Sequence, residues 1–228
     1  MKYPFETLTF IRHAQSEHNT VNRHKDMYAK DRLYGGLYDA KLTELGKVQA
    51  IKLGSQINVD RHDIIFTSNL SRAIDTAKLA LRNRAPFYTT PLLNERSFGI
   101  FGGKYISELE KNPLLYPYFH DDFLKQHTGH WYLGPPGGET LLQLHMRCEE
   151  IFNGGLDHIV TTQQHPLFFT HGLITRSLLH YFSITSFEDY FKYDIPNCQI
   201  IELVRFEDSW MLNTKLALNK KRSGGPWK

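Results

Sequence analysis

Short apolar runs alternate along the chain with longer segments in which apolar residues recur at helical spacing. Three of these runs, residues 5–11, 63–68 and 167–170, are rich in β-branched and aromatic residues, which is typical of strands buried on both faces of a sheet. Each run stops abruptly in polar or charged residues, and a segment that favours a helix follows it. This alternation predicts an α/β fold in which helices cover both faces of an open sheet.

Polar residues between these segments indicate where the helices begin and end. Thr43 is expected to be the N-cap of a helix that ends near Gly54 and buries Leu45, Val48 and Ile51. Three further helices are expected over residues 70–81, 141–151 and 173–182. The apolar residues on one side of the second of these are Leu141, Leu144, Cys148 and Ile151.

Weaker patterns complete the predicted fold. Residues 87–93 are expected to form a short edge strand, and residues 200–216 a closing hairpin at the sheet edge. Residues 21–38 form a polar loop of a length that usually serves a ligand. Residues 104–134 are irregular and rich in aromatic side chains, and we expect this insertion, with a helix near its beginning, to cover the crevice at the strand ends.

Arginine and histidine side chains follow the ends of the inner strands. Arg12 and His13 follow the first strand, Arg72 lies in the first turn of the helix after the second, and His171 follows the third, while a glycine-rich loop carries Glu95. Ligands of open α/β sheets bind beyond the carboxyl ends of the strands. A buried guanidinium needs an anionic partner, and so does a cation at a helix N-terminus. These residues therefore predict an anion site, although each taken alone also fits a structural ion pair or a surface position.

Composition and charge narrow the function. The 228 residues are 41% hydrophobic and 22% charged, and no linker divides them, so a single domain over residues 1–228 is expected. The net charge of +3 falls short of the basic stripe of a nucleic-acid binder but suits a small anionic substrate. Cys148 and Cys198 belong to no paired motif and are expected to be reduced thiols. Without a signal peptide or a long apolar run, we expect no membrane partner and a cytoplasmic location.

A set of motifs extends over nearly the whole chain in a fixed order. They are Arg12-His13-Ala14-Gln15-Ser16 with Asn19, Asp39 with Leu42-Thr43, Gly46 and Gln49-Ala50, Ser68-Asn69-Leu70-Ser71-Arg72-Ala73 with Thr76-Ala77, Leu93-Asn94-Glu95 with Phe98-Gly99, Gly137-Gly138-Glu139-Thr140, Thr170-His171-Gly172, and Asn197. This ordered set resembles the histidine phosphatase superfamily, also called the phosphoglycerate mutase-like family. The resemblance implies a three-layer α/β/α sandwich with a mostly parallel central sheet. Two positions depart from the family pattern, because Ala14 stands where the family usually has Gly and Thr170 where it usually has Ser.

The resemblance also implies a role for each residue of the predicted site. His13 is implied to be the nucleophile that forms a phosphohistidine, and Glu95 the proton donor. The other implied residues are Arg12, Asn19, Arg72 and His171, which bind the phosphoryl oxygens, and Gly36, Arg96 and Gly172, which contact the rest of the substrate. Forked guanidinium donors match phosphoryl oxygens, and nearby cations lower the pKa of an imidazole, so it attacks in its neutral form. Two alternatives stay open: Glu95 as a helix cap or an ion-pair partner of Arg96, and Asn19 as a loop-ordering residue.

These roles predict a metal-independent phosphomonoester hydrolase that acts on a small phosphorylated metabolite and needs no cofactor. A phosphoglycerate mutase-type phosphotransferase is an alternative, but the basic Arg-Arg-Ser-Tyr segment typical of cofactor-dependent mutases is missing between Glu95 and Pro135. A non-catalytic phospholigand-binding protein is a further alternative. The expected partner is the small phosphorylated substrate, without nucleic acid or membrane, and the expected state is a monomer or homodimer.

Two groups of polar residues are weaker candidates for binding. His127 and His130, with Asp121 and Asp122, resemble a metal site only in spacing and have no matching group elsewhere, so we expect no metal. The residues that remain candidates for a second anionic group of the substrate are Lys25, Lys30, Arg32, Arg96, Lys104 and Lys125.

Overall fold

The computed structural model describes residues 5–22, 29–121, 131–155 and 165–218 of the chain. These residues contain a six-stranded sheet. The strands are β1 (Thr7–Arg12), β2 (Ile64–Ser68), β3 (Tyr88–Thr90), β4 (Pro166–Thr170), β5 (Ile200–Phe206) and β6 (Ser209–Leu212). Their spatial order is β3-β2-β4-β1-β5-β6. The first four in this order are parallel, and β5 and β6 form an antiparallel hairpin beside β1. The inner strands, the edge strand and the closing hairpin are all confirmed.

Helices pack on both faces of this sheet. They are α1 (Glu17–Val21), α2 (Glu44–Leu53), α3 (Ser71–Leu81), α4 (Ile106–Leu109), α5 (Pro117–His120), α6 (Leu141–Glu150) and α7 (Gly172–Tyr181). Short 3-10 turns cover Val59–Arg61, Pro91–Leu93 and Gly99–Phe101, and a π turn covers Ile151–Gly155. Within the described parts of the chain, none of the helices combines the length and apolar character needed to cross a membrane.

Neighbouring residues of each inner strand belong to two different cores. On one face, Phe10, Phe66 and Phe168 pack with the buried residues of α6 and α7, and Phe168 stacks on both other rings at 5.6 Å. On the other face, Ile11 and Phe169 pack with residues of α2 and α3. Because side chains alternate along a strand, this division requires two covered faces. The fold is therefore the three-layer α/β/α sandwich that the sequence predicts, with the predicted buried side of α6 confirmed.

Helix α2 has the predicted N-cap, since the Thr43 side chain accepts a hydrogen bond from Gly46 N, but its predicted buried face is wrong. Leu45 and Val48 are more than half exposed. The side that packs inward is made of Gly46, Ala50 and Leu53, and its first turn approaches the loop after β1 closely. A Cβ on Gly46 would lie 2.0 Å from Gln15 O. Close backbone approach decides the orientation of this helix, in place of the size of its apolar residues.

The described part of the predicted insertion forms a satellite core. Phe101 and Phe119 pack with residues of α4 in this cluster, and the Tyr34 ring lies 5.3 Å from Phe101 and 6.3 Å from Phe119. Residues 122–130, with the candidate ligands His127 and His130, lie outside the described residues, as do Lys25 and Lys125. That the insertion covers the site stays a prediction.

Candidate active site

The predicted nucleophile, His13, is buried directly after β1. Its Nδ1 lies 2.7 Å from Ala14 O. Because a carbonyl oxygen only accepts hydrogen bonds, Nδ1 carries the ring proton and Nε2 keeps its lone pair. Burial, followed by the charges of Arg72 and Arg12, lowers the pKa of His13 well below its ordinary 6.5. The imidazole is therefore neutral at physiological pH, with its lone pair on Nε2.

Three hydrogen bonds hold the loop that carries this imidazole. Thr76 Oγ1 accepts from Ala14 N at 2.9 Å and donates to Arg72 O at 2.6 Å. Asn197 Nδ2 donates to His13 O at 2.9 Å. Ala14 is not among the residues with positive φ, so the replacement of the family's usual glycine causes no backbone strain. The loop therefore keeps its geometry with alanine at this position.

Two guanidiniums lie near His13, a buried one on Arg72 and a half-buried one on Arg12. Arg72, in the first turn of α3, donates to Tyr38 O at 2.9 Å and to Gly36 O at 2.8 Å. Burial lowers the pKa of Arg72, and it lowers the pKa of Arg12 to about 10, with the charge of Arg176 as the second cause. None of the ion pairs between described residues includes either of these two arginines. Carbonyls aim the Arg72 guanidinium without neutralising it, so the pair is suited to bind an anion.

The second imidazole, His171, follows β4 and is fully buried. Arg12 pairs with Thr170 in the parallel register of β1 and β4, which brings the next residues of both strands together. The rings of His13 and His171 are 5.0 Å apart between centroids. His171 Nε2 lies 2.8 Å from Ser68 Oγ, while Nδ1 is buried without a hydrogen-bond partner. Burial, then the charge of Arg72, lowers the pKa of His171 well below 6.5.

The carboxylate of Glu95 lies at the N-terminus of α7. Both of its oxygens accept from Leu173 N at 3.2 Å, and Oε1 also accepts from Ile174 N at 3.3 Å and from Arg96 N at 2.9 Å. Of the two structural alternatives for Glu95, an ion pair with Arg96 is not seen among the described residues. The bonds from Leu173 N and Ile174 N are those of a helix cap, so this alternative is compatible with the geometry. The positive end of the helix dipole holds the carboxylate in place beside the site.

A second carboxylate supports the loop that carries Glu95. Glu139 pairs with Arg147 through two contacts of 2.9 Å and accepts from Ser97 N at 2.7 Å. Arg147 also donates to Asn94 O at 2.7 Å. A Cβ on Gly138 would lie 2.8 Å from Ser97 O, so the two loops approach too closely for a larger residue. The motif around Glu139 therefore positions the Glu95 loop.

Asn19 is a loop-ordering residue that also keeps a free donor. Its Oδ1 accepts from Ser16 N at 3.0 Å, from Ser16 Oγ at 3.1 Å and from Asn197 Nδ2 at 3.0 Å. This arrangement fixes the oxygen toward the loop and leaves the Nδ2 group of Asn19, a residue of the cavity wall, as a donor for a ligand. This geometry is compatible both with an Asn19 that binds a phosphoryl oxygen and with an Asn19 that orders the loop.

These side chains meet at a cavity of about 290 Å³. The predicted site residues on its wall are Arg12, His13, Asn19, Gly36, Arg72, Glu95, Arg96 and Gly172. The remaining predicted residue, His171, lies against His13. Of the candidates for a second anion, Arg32 and Arg96 line the cavity, whereas Lys30 pairs with Glu110 at 3.3 Å. In the described residues, no three His, Cys, Asp or Glu side chains are grouped as metal ligands would be.

The sequence analysis missed Arg176 and His18, which also line the cavity. A Cβ on Gly172 would lie 3.4 Å from Arg176 Nη1 and 3.7 Å from Arg12 Nε, so two guanidiniums border the same space. Gly172 and Arg176 are four residues apart on one helical face, and this spacing is the signal that would have revealed Arg176. His18 Nε2 lies 3.0 Å from Leu33 O, and burial lowers the pKa of His18 to about 4.

Comparison with known proteins gives relatives of two kinds. The chain is similar to the 2,3-bisphosphoglycerate-dependent phosphoglycerate mutase of Bartonella henselae, with 28% identity over 179 residues that cover 76% of this chain and 79% of that protein. Its fold is similar to the solved α-ribazole phosphatase of Shigella flexneri, with a TM-score of 0.73, 22% identity and coverage of 91% of this chain and 94% of that chain. Phosphoserine phosphatase of Entamoeba histolytica gives a TM-score of 0.69 at 18% identity, covering 95% and 98%.

These relatives are too distant to assign the chain to a family. A family model makes that assignment. The model of the histidine phosphatase superfamily (branch 1) matches residues 8–216, which include every residue of the cavity wall. Together with the two imidazoles and the two guanidiniums at the strand ends, this match shows that the chain belongs to the histidine phosphatase superfamily.

Proposed function

We propose that the protein hydrolyses phosphomonoesters through a phosphohistidine on His13, without a metal ion. The observation that carries the proposal is the neutral His13 beside the guanidiniums of Arg12 and Arg72, which have no carboxylate within ion-pair distance among the described residues. A phosphoryl dianion supplies the missing charge, and its three outer oxygens match the forked donors of Arg12 and Arg72. In this proposal, a phosphoryl group held by the two guanidiniums has its phosphorus atom within reach of the Nε2 lone pair of His13.

In the first step, Nε2 of His13 forms a bond to phosphorus, and the ester P–O bond breaks. Protonated Glu95 gives its proton to the departing alkoxide oxygen, which yields the alcohol and a Glu95 carboxylate. In the second step, a water molecule bonds to phosphorus and gives a proton to Glu95, while the P–Nε2 bond breaks. Inorganic phosphate leaves, and both His13 and protonated Glu95 are restored.

The protein holds the Glu95 carboxylate by backbone N–H groups at the start of α7 while no substrate is bound. In the proposed first step Glu95 carries a proton, and the negative charge of the approaching substrate dianion favours that form. The same carboxylate is already placed for the second step, in which it acts as the base. One side chain can therefore serve both half-reactions.

The cavity also favours a substrate with a second anionic group. Arg96 is 3% exposed, and its Nη2 is buried without a hydrogen-bond partner, although Nε donates to Glu139 O at 2.8 Å. Its guanidinium lies 5.2 Å from the centre of the Phe98 ring, a further wall residue. The Nε of Arg176 is likewise buried without a partner. These cations exceed what one phosphoryl group neutralises, so we propose a small metabolite that carries a phosphate and a second anion.

A phosphoglycerate mutase-type reaction is the second candidate, because the Bartonella henselae relative is a mutase. The two reactions share the first step and differ in the molecule that receives the phosphoryl group. Water receives it in a phosphatase, whereas a second hydroxyl group of the bound sugar acid receives it in a mutase. A substrate with a second anionic group is compatible with either reaction.

Turnover of p-nitrophenyl phosphate in excess EDTA tests the proposal. We expect sustained release of phosphate by the unmodified protein and none by His13→Ala, with the variant's fold checked by circular dichroism. Loss of turnover in EDTA, or unchanged turnover of His13→Ala, would refute the mechanism. A parallel incubation with phosphoglycerate and bisphosphoglycerate separates the candidates, because a mutase exchanges the phosphoryl position faster than it releases phosphate.

A further inference from the structure

The hydroxyl group of Ser68, at the end of β2, makes three hydrogen bonds that only one arrangement of protons satisfies. Ser68 Oγ lies 2.7 Å from Asn94 Oδ1, which also accepts from Asn69 N at 2.9 Å. An amide oxygen only accepts, so Ser68 gives its single proton to Asn94. Leu70 N donates to Ser68 Oγ at 3.1 Å. The remaining contact, 2.8 Å from His171 Nε2, is therefore one in which His171 donates.

This network determines which nitrogen of His171 is protonated. With the proton held on Nε2, the neutral ring has only a lone pair on Nδ1, which is buried and has no hydrogen-bond partner. A lone pair repels a phosphoryl oxygen, and only the imidazolium form has an Nδ1–H to donate. The ring lies beside His13, where the proposed function puts the phosphoryl group.

We propose that Ser68 and Asn94 are positioning residues that fix the tautomer of His171, so that His171 binds a phosphoryl oxygen only after it takes up a proton. The inference rests on the proposed function for the place of the phosphoryl group. It adds that binding of a tetrahedral dianion and protonation of His171 are one linked event. Affinity for such a dianion then falls as the pH rises.

The charges around His171 agree with a ring that stays neutral until an anion arrives. Arg12 and His13 face it from the end of β1, Arg72 from α3 and Arg147 from α6, and all four oppose a proton on the ring. Glu95 is a carboxylate that contacts the start of α7, the helix that follows His171, through Leu173 N. A bound dianion reverses this balance, because it supplies negative charge where the cations converge.

Calorimetric titration with tungstate, a tetrahedral dianion near neutral pH, measures the linkage without turnover. Binding in buffers of different ionisation enthalpy gives the number of protons taken up. We expect about one proton for the unmodified protein, which corresponds to a roughly tenfold rise in Kd for each pH unit. Failure of the phosphatase assay with normal proton uptake would remove the proposed function alone, and normal hydrolysis with no uptake would overturn this inference alone.

Two variants should remove the constraint on the tautomer of His171, each in a different way. Ser68→Ala removes the acceptor of Nε2, so neutral His171 can carry its proton on Nδ1. Asn94→Ala lets the Ser68 hydroxyl donate to Nε2, with the same result. Both variants should take up almost no proton on binding tungstate. Ser71→Ala is the matched control, because the Ser71 hydroxyl donates to Asp39 Oδ1 at 2.9 Å and should leave the uptake unchanged.

Nitrogen NMR of labelled histidine identifies the group that takes up the proton, since His13 and Glu95 also border the anion. We expect His171 Nδ1 to be unprotonated in the free protein and protonated in the tungstate complex. An Nδ1 that is already protonated in the free protein would overturn the inference. So would full proton uptake by both the Ser68→Ala and Asn94→Ala variants.

Discussion

His13 and His171 lie side by side, 5.0 Å apart, yet they hydrogen-bond to the protein through different ring nitrogens. His13 uses Nδ1 toward Ala14 O, and His171 uses Nε2 toward Ser68 Oγ. The nitrogen that keeps a lone pair in the neutral ring therefore differs, being Nε2 in His13 and Nδ1 in His171. Two residues of the same type, delivered by adjacent parallel strands, thus acquire different chemistry from their hydrogen-bond partners.

The titration of His13 should respond to Arg72, because that guanidinium is the largest cause after burial of its lowered pKa. Arg72→Gln should raise the His13 pKa and lower kcat by about 10²- to 10³-fold, as expected for loss of one oriented donor. NMR titration of the ring in the substrate-free protein gives the first value and steady-state kinetics the second. Arg82→Gln, at the far end of α3, is the control. A His13 midpoint near 6.5 in the unmodified protein would contradict the proposed electrostatics.

Stability of the ligand-free protein should fall as the solution becomes acidic. The pKa values of His13, His18 and His171 are all lowered in the folded state, with burial as the first cause. Below about pH 6.5 the unfolded chain binds more protons than the folded one, so each histidine costs about 1.4 kcal/mol per pH unit until its folded-state pKa is reached. Above pH 6.5 this contribution is fully present.

Urea unfolding at a series of pH values measures this dependence. The double variant His13→Asn/His171→Gln should show a shallower loss of stability between neutral and mildly acidic pH. Tungstate should reduce the loss as well, because it stabilises the folded state. A double variant that keeps the full slope would assign the acid sensitivity to other groups.

The sequence was sufficient to predict the inner strands and the residues at which they end, and the reason is physical. The strand Ile64–Ser68 begins with apolar residues because it is buried on both faces, and the switch to polar residues marks the sheet edge where Arg12, His13 and His171 lie. Local pattern and ligand position are linked in parallel sheets, so the pattern alone was sufficient to predict that Arg12, His13, Arg72 and His171 lie close together. Whether each acts as predicted is a matter for the experiments described here.

Features that depend on contacts between distant segments were not accessible from the pattern. The orientation of α2 follows from the approach of Gly46 to Gln15, and its apolar residues Leu45 and Val48 gave the wrong face. The tautomer of His171 depends on Ser68 and Asn94, which are far apart in the sequence. Such contacts have no periodicity, and only the folded arrangement shows them.

Enlarging Gly46 should be costly. A Cβ there would lie 2.0 Å from a backbone oxygen, Gln15 O, so α2 or the loop after His13 must move. We expect Gly46→Ala to lower the free energy of unfolding by about 1–3 kcal/mol, the range for overpacking, and to reduce kcat through displacement of the loop. Gly102→Ala is the control, since its Cβ would be 3.4 Å from the nearest atom. Equal stability of both variants in urea unfolding would show that α2 does not depend on this close approach.

Arg96→Met should change the choice of substrate rather than the chemical step. The Arg96 guanidinium is buried on the cavity wall with Nη2 unpartnered, so its full effect appears only when the substrate has a second anion within reach. For such a substrate we expect kcat/KM to fall by about 10- to 100-fold, the cost of losing a charged hydrogen bond, mostly through a higher KM. Turnover of p-nitrophenyl phosphate, which has no second anion, should change little.

A panel of phosphorylated metabolites with and without a carboxylate or second phosphate measures this selectivity. Lys104→Met provides the matched control, because Lys104 is exposed and is not part of the cavity wall. Equal losses for the singly and doubly anionic substrates would mean that Arg96 supports the site as a whole, since a residue that reads the second anion spares substrates that lack it. A selective loss would identify the half of the substrate that Arg96 contacts, and it would leave the phosphoryl half to Arg12 and Arg72.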